Sequence, residues 1–460
     1  MIRLGDVSPR RRLWPSLASR ITNGLALAAL YALALSVDLS TAGFNLAVFI
    51  LLLASIPRLP SIWEDVKGLP AFWLVVALTA YVVIQSLLLA SSHAIMHESS
   101  NPHWSHVARV AGLPSLVIGW WLLQYRRHVP WLIVLVVVSL LVNRLLAIDY
   151  PAVVETPFAS RSVWGDAAVR VGFASATGAV ICLAALLYLT IDAGYLRSWL
   201  GRGAIAAAGV GFVGFLIALY GSQTRGAWLG ALVAFGFLAI TAAFRALRAS
   251  RGWSAVIVVT LVLVAVLGLT VGLDQGEVLE RRVTGESAAV EAIANLDREA
   301  LYAANRSMGL RVNMWTEAMT ALKDRPWFGY GVGTKPLLEQ RSDLDIGGTT
   351  GHLHNVYVEL GYGLGILGLV GFLAVYSVLF RGFVRACRSG LVPKGITMVV
   401  GSFWVMTPVT LLTDVRIGHA NSRAVLIFML ALVCWGVLMH HIRTRTQRPA
   451  EDGEPCASQP

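Results

Sequence analysis

The chain has 460 residues, of which 56% are hydrophobic and only 14% charged, with mean hydropathy +0.67 and a formal net charge of +11. A soluble domain carries about a quarter charged residues, so this composition excludes an ordinary cytosolic enzyme and points to a polytopic membrane protein. So basic a chain could also bind nucleic acid, but arginine gathered in cytoplasmic loops against anionic headgroups accounts for the charge without such a partner.

Apolar runs such as LVVALTAYVVIQSLLLA (74–90) approach the ~20 residues that cross a ~30 Å hydrocarbon core, and in lipid such runs read as helices. Twelve spans are predicted: 18–37, 42–57, 70–90, 108–124, 130–148, 169–190, 204–220, 227–244, 254–273, 354–380, 396–413 and 424–441. The first reads as a span rather than a cleaved leader. The second and seventh are short, which leaves eleven or thirteen spans open. Arginine marks alternate ends: Arg3, Arg10, Arg11, Arg12 and Arg20 at the start, then Arg126 and Arg127, Arg197 and Arg202, and Arg245, Arg248 and Arg251. Arg381, Arg385 and Arg388 follow, then Arg443, Arg445 and Arg448 near the end. Both termini are therefore expected in the cytoplasm.

The expected division is spans one to nine (1–273), a large external loop (274–353), spans ten to twelve (354–441), and a disordered cytoplasmic tail (442–460). The external loop carries two helix signals, ESAAVEAIANLDREALYAAN and SMGLRVNMWTEAMTALKDRP, the second stopped by Pro326. Cys182, Cys387, Cys434 and Cys456 are scattered, and none lies in a segment placed outside, so no disulfide framework is implied.

Polarity concentrates at the external ends of the spans. The turn GSQTRGAWLG (221–230) holds one cation, Arg225, beside Gln223. An arginine fork at a membrane surface suits phosphate, and snorkelling to headgroups has the same signature. In GLRVNMWTEAM (309–319), Arg311 and Trp315 stand one helical turn apart, as a surface arginine packed on tryptophan also does. In GHLHNVYVELGYGLGILG (351–368), His354 and Asn355 stand at the mouth of span ten. Donors and positive dipole there favour an anion nearby, and a neutral histidine can accept a proton from a hydroxyl. A capping or hydrogen-bonding histidine is the plainer account of His354 alone. Gly361, Gly363, Gly365 and Gly368 are expected to let a neighbouring helix approach closely.

Taken together these stretches resemble the O-antigen ligase and polymerase superfamily. His354–Asn355, nine residues, then Gly365-x-x-Gly368 matches its pattern; SQTRG resembles its small-x-x-Arg-Gly element; and the Arg311–Trp315 helix followed by RPWFGYGVGT (325–334) resembles its long periplasmic loop. The resemblance covers about residues 205–380. It implies an all-α, GT-C-like inner-membrane glycosyltransferase with a periplasmic active site. The donor would be a glycan on undecaprenyl pyrophosphate, and the ligase acceptor a sugar hydroxyl of lipid A–core oligosaccharide. Arg225 and Arg311 would hold the pyrophosphate and His354 would act at the acceptor hydroxyl. Lys335 is a third cation candidate and Asp414 a candidate to orient His354. A single displacement implies inversion, and two arginines make a metal unnecessary, so no cofactor is expected.

Two other signals are set aside. GYGVG (329–333) evokes nucleotide loops but lacks a strand–turn–helix context. The stretch 93–106 holds His93, His97, His103, His106 and Glu98, and contacts with sugar or lipid phosphate, or plain solvation, compete with zinc. Polymerase and protein O-oligosaccharyltransferase are neighbouring activities; the latter commonly has a further C-terminal region. A lipid-linked oligosaccharide exporter would have a similar number of spans, but it predicts charged or broken helices near the midplane.

Overall fold

The computed structural model describes residues 17–91, 112–155, 161–165, 168–192, 195, 198–248, 288, 291–292, 294–295, 297–331, 352–413 and 420–447. All regular structure among them is helical. In chain order the helices are α1 (Leu17–Leu39), α2 (Thr41–Ser55), α3 (Leu59–Val66), α4 (Pro70–Ser91), α5 (Leu113–Gln124), α6 (Val129–Ala147), α7 (Tyr150–Glu155), α8 (Ala168–Leu187), α9 (Trp199–Gly221) and α10 (Arg225–Arg248). Then come α11 (Arg298–Ala304), α12 (Arg306–Leu322), α13 (Val356–Arg388), α14 (Lys394–Thr413) and α15 (Ala420–Gln447).

Nine helical stretches among the described residues are long and apolar enough to cross a membrane, and α4 and α5 contain shorter apolar ones. Eleven of the twelve predicted spans thus have a helix, and the ninth, 254–273, lies outside the described residues. The two short predictions lengthen: α2 runs through a tight turn into α3 as a 26-residue apolar stretch, and α9 begins at Trp199. The last helix reaches Gln447, six residues into the segment expected to be a disordered tail. Pro at N1/N2 opens α3, α5 and α6. Ser40 and Ser198 cap α2 and α9 through their hydroxyls.

The bundle closes around α8, buried at every residue from Val171 to Ala184. Its run of small residues admits close neighbours, with Phe215 of α9 seated over Gly178. α8 packs on α9, α10, α14 and α6; α15 packs on α5 and α13; α13 also packs on α4. At one end a polar knot joins three helices. Asp38 of α1 pairs with Arg144 of α6 at 3.2 Å. Asn143 and Asn421 donate to Asp38 at 2.7 and 2.9 Å, and Ser139 accepts from its N–H. Both charges are almost fully buried, so each needs the other and these donors to offset the cost of leaving water.

Span ten departs most from expectation. α13 is two helices: Gly365 has φ 69° and ψ −174°, a region open essentially to glycine alone. The bend is sharp. Tyr357 donates to the Pro408 carbonyl and Tyr376 to the Trp404 carbonyl, acceptors one turn apart on α14. On a straight helix those tyrosines would stand about 28 Å apart, more than two side chains can bridge. Residues 366–388, about 34 Å long, suffice to span the ~30 Å core. Residues 356–364 form a short half-helix of their own.

Candidate functional site

Two non-glycine residues among those described have left-handed backbone, Gln223 (φ 50°) and His354 (φ 54°). Each sits in one of the two turns that the sequence singles out. The left-handed region costs an ordinary residue about 1–2 kcal/mol, so the surrounding structure must hold it there.

The His354 turn is held from three sides. Asn355 caps the half-helix, its side-chain oxygen accepting from the N–H groups of Tyr357 and Val358 at 2.9 and 3.2 Å. Glu359, one turn on, accepts from the Leu353 N–H at 3.1 Å. From outside the helix, Trp315 of α12 donates its indole N–H to the Leu353 carbonyl at 2.7 Å. Leu353 is buried with Met314, Ala318, Ala321, Tyr330 and Tyr362, against which Trp315 and Val358 pack. The His354 ring meets His352 edge-on, with centroids 4.3 Å apart. Arg311 lies one turn before Trp315, on the same face of α12, so it belongs to the wall beside His354.

The Arg225 turn is built on other helices. Thr224 donates to the Ala168 carbonyl at 2.8 Å, which fixes the turn to the start of α8. Gly226 and Gly230, one turn apart on α10, pack against Thr413, and against Thr410 and Met406, of α14. A side chain at Gly226 would collide with Thr413. This small-residue face is the helix-packing glycine pair, and the sequence reading missed it. Arg225 is exposed at the first position of α10. Arg170 also lies in the first turn of α8, and its Nε is buried.

The two turns flank the last turns of α14. Gly226 abuts Thr413, while Tyr357 bonds to Pro408 and Val356 and Leu360 cluster with Leu411. Arg225 and the half-helix led by His354 therefore face a common helix end. Lys335 and Asp414 lie outside the described residues, as do His93, His97, His103 and His106. Among the described residues no group of three or more His, Cys, Asp or Glu could hold a metal ion.

Gly361, Gly365 and Gly368 do something other than admit a membrane helix. A Cβ at Gly365 would run into the Trp327 carbonyl, so the close neighbour is the backbone of the segment 326–331. Gly368 faces Leu364 across the bend, and nothing comes nearer than 3.9 Å to a Cβ at Gly361. The break frees backbone groups, and the segment 326–331 takes them. Tyr330 and Gly331 donate to the carbonyls of Tyr362 and Gly363 at 2.9 and 2.7 Å. In return Ile366 and Leu367 donate to Pro326 and Trp327 at 2.9 and 3.3 Å. Two side chains of α4 complete the set: Tyr81 donates to Leu364 O at 2.6 Å, and Gln85 to Gly363 O at 3.2 Å and to Phe328 O. Tyr330 stacks on Tyr362 with centroids 5.0 Å apart, under Arg325. The start of GYGVG is thus a clasp on a broken helix. An exporter would also have a broken helix, but here the freed groups bind protein rather than line a cavity.

Residues 210–373 match the family described as O-antigen ligase, a stretch that contains both turns, α12 and the bend, and the match supports membership of the O-antigen ligase superfamily. An uncharacterized protein of Haemophilus influenzae is 22% identical over 234 residues, 49% of this chain and 55% of the relative; the chain thus spans little more than half the length of that relative.

Proposed function

With residues 210–373 matching the O-antigen ligase family, we propose that the chain transfers a glycan from undecaprenyl pyrophosphate to a hydroxyl of lipid A–core oligosaccharide. The reaction takes place at the periplasmic face of a bacterial inner membrane, with both termini in the cytoplasm. The observation that carries the reading is the backbone of Gln223 and His354: strain held by surrounding structure is characteristic of working sites, and both strained residues fall within the matched stretch, in the two turns whose sequences resemble family motifs.

In this reading the acceptor hydroxyl attacks the anomeric carbon from the side opposite the pyrophosphate. The carbon–oxygen bond to the leaving phosphate breaks as the new one forms, inverting the centre. His354, at the N-terminal end of the short half-helix, takes the hydroxyl proton. Negative charge gathers on the departing pyrophosphate, and Arg225 and Arg311, permanently charged, stabilise it there. Lys335 adds a third cation and Asp414 orients His354. Two fixed guanidinium groups supply the charge that a metal would otherwise bring.

The test is transfer by purified protein, in detergent with EDTA, from an undecaprenyl-pyrophosphate glycan to lipid A–core, followed by mass. Wild type should transfer, and Arg225→Ala, Arg311→Ala and His354→Ala should each lose at least about a hundredfold, the scale of removing one acid–base or oxyanion group. Lengthening of the lipid-linked glycan alone would make the protein a polymerase. No transfer by wild type in an assay that a known ligase passes would reject the reading.

A further inference from the structure

Just before the half-helix, two hydrogen bonds fall on a single peptide group. The Leu353 carbonyl accepts from the Trp315 indole at 2.7 Å. The N–H of His354, at the other end of the same planar unit, donates to Nδ1 of His352 at 3.3 Å. The start of α13 is held as well, by the Asn355 side chain that accepts from Tyr357 and Val358. Between these fixed parts lie only the dihedrals of His354 and Asn355. Asn355 is extended, with φ −154° and ψ 115°, so the left-handed turn is made at His354, with φ 54°.

His352 contributes a lone pair to this hold. Its Nδ1 accepts, so that nitrogen carries no proton, and the neutral ring has its proton on Nε2. The two histidines are thereby set apart. His352 uses its acceptor on backbone and has none left to take a proton from a substrate. Its ring also stands edge-on to the His354 ring, with centroids 4.3 Å apart and planes at 70°. His352 therefore meets His354 twice, at the backbone and at the imidazole.

We propose, resting on the reading of His354 as base, that His352 is its positioning residue. The Nδ1 lone pair holds the His354 N–H, fixes the left-handed turn and so aims the His354 ring at the acceptor hydroxyl.

The test exploits side-chain length, in the transfer assay described above. In asparagine, Oδ1 stands as many bonds from the backbone as Nδ1 of histidine, and asparagine accepts readily from the N–H two residues on. In glutamine the amide oxygen stands one bond further, in place of Nε2. His352→Asn should therefore keep kcat within about threefold of wild type, and His352→Gln should lower it about tenfold, the scale of one lost hydrogen bond. KM for both substrates should stay the same. Hydrogen exchange at the His354 amide, read by mass spectrometry with fragmentation to single residues, follows the bond without any turnover. It should be slow in wild type and in His352→Asn, and about tenfold faster in His352→Gln.

The proposal is overturned if the two variants behave alike, or if KM moves in place of kcat. It is equally overturned if the wild-type His354 amide exchanges like an unprotected one, an arm that needs no variant to fold. If wild type transfers nothing, the ligase reading fails by itself. A difference in exchange between the two variants then still supports the hold of His352 on the turn, and its absence overturns it.

Discussion

At the residue scale, the site consists of backbone strain held by specific hydrogen bonds. Asn tolerates left-handed backbone better than most residues, so His354→Asn should keep the turn and the stability while losing transfer. Thermal unfolding in detergent beside the transfer assay separates the two. Gln223→Gly removes strain of the same kind and should raise the unfolding free energy by up to about 1 kcal/mol, with activity reduced as the turn loosens. An unchanged midpoint would mean that the turn is not strained. Trp315→Phe keeps the packing but leaves the buried Leu353 carbonyl without its donor. Transfer should fall about tenfold through the positioning of His354, with a stability loss near 1 kcal/mol. His354, Asn355, Arg225, Arg311 and Trp315 were legible in sequence because their types and order form a pattern. Glu359, which holds the same turn, was not: an acidic residue in the first turn of a helix is ordinary and signals nothing by itself.

At the element scale, a helix lies under eleven of the twelve predicted spans, nine of them long and apolar enough to cross a membrane, because apolar runs of that length admit few other folds. The bend in α13 could not. Glycines at Gly361, Gly365 and Gly368 fit a packed helix and a broken one equally well, and what decides between them is the segment 326–331 and Gln85, far away in sequence. Two substitutions separate those alternatives. Gly365→Ala puts a methyl group on the Trp327 carbonyl in a conformation that alanine cannot adopt, and should prevent stable folding or cost more than about 3 kcal/mol. Gln85→Leu, nearly isosteric, leaves the Phe328 and Gly363 carbonyls short of a donor and should cost about 1–3 kcal/mol. If both variants melt like wild type, the clasp is not formed. The pair Gly226 and Gly230 shows the opposite error. There the packing role is real, but Arg225 drew the attention.

At the scale of the whole molecule, what distinguishes the two ends of the bundle is where polar groups are buried. Asp38, Arg144 and Asn421 come from helices distant in sequence, and each reads alone as an ordinary helix-end residue, so the knot they form was invisible before the fold. Asp38→Ala would leave Arg144 buried and uncompensated, at a cost of about 3–5 kcal/mol. The double change Asp38→Leu with Arg144→Met should recover most of it. A double variant no better than the single one would show that the knot stabilises through its hydrogen bonds rather than through charge.

The clasp also dictates an order of assembly. The segment 326–331 is synthesised before α13, yet its backbone partners are the carbonyls and amides that the bend at Gly365 leaves open, together with the Gln85 side chain of α4. Until span ten has emerged and inserted, those amides have nothing to bind. The loop is therefore finished late, after a helix that follows it, and the wall carrying Arg311 and Trp315 closes on His354 in the same event. A ribosome-arrested chain ending before residue 356 would hold the loop open to protease, and one extended through α13 would protect it.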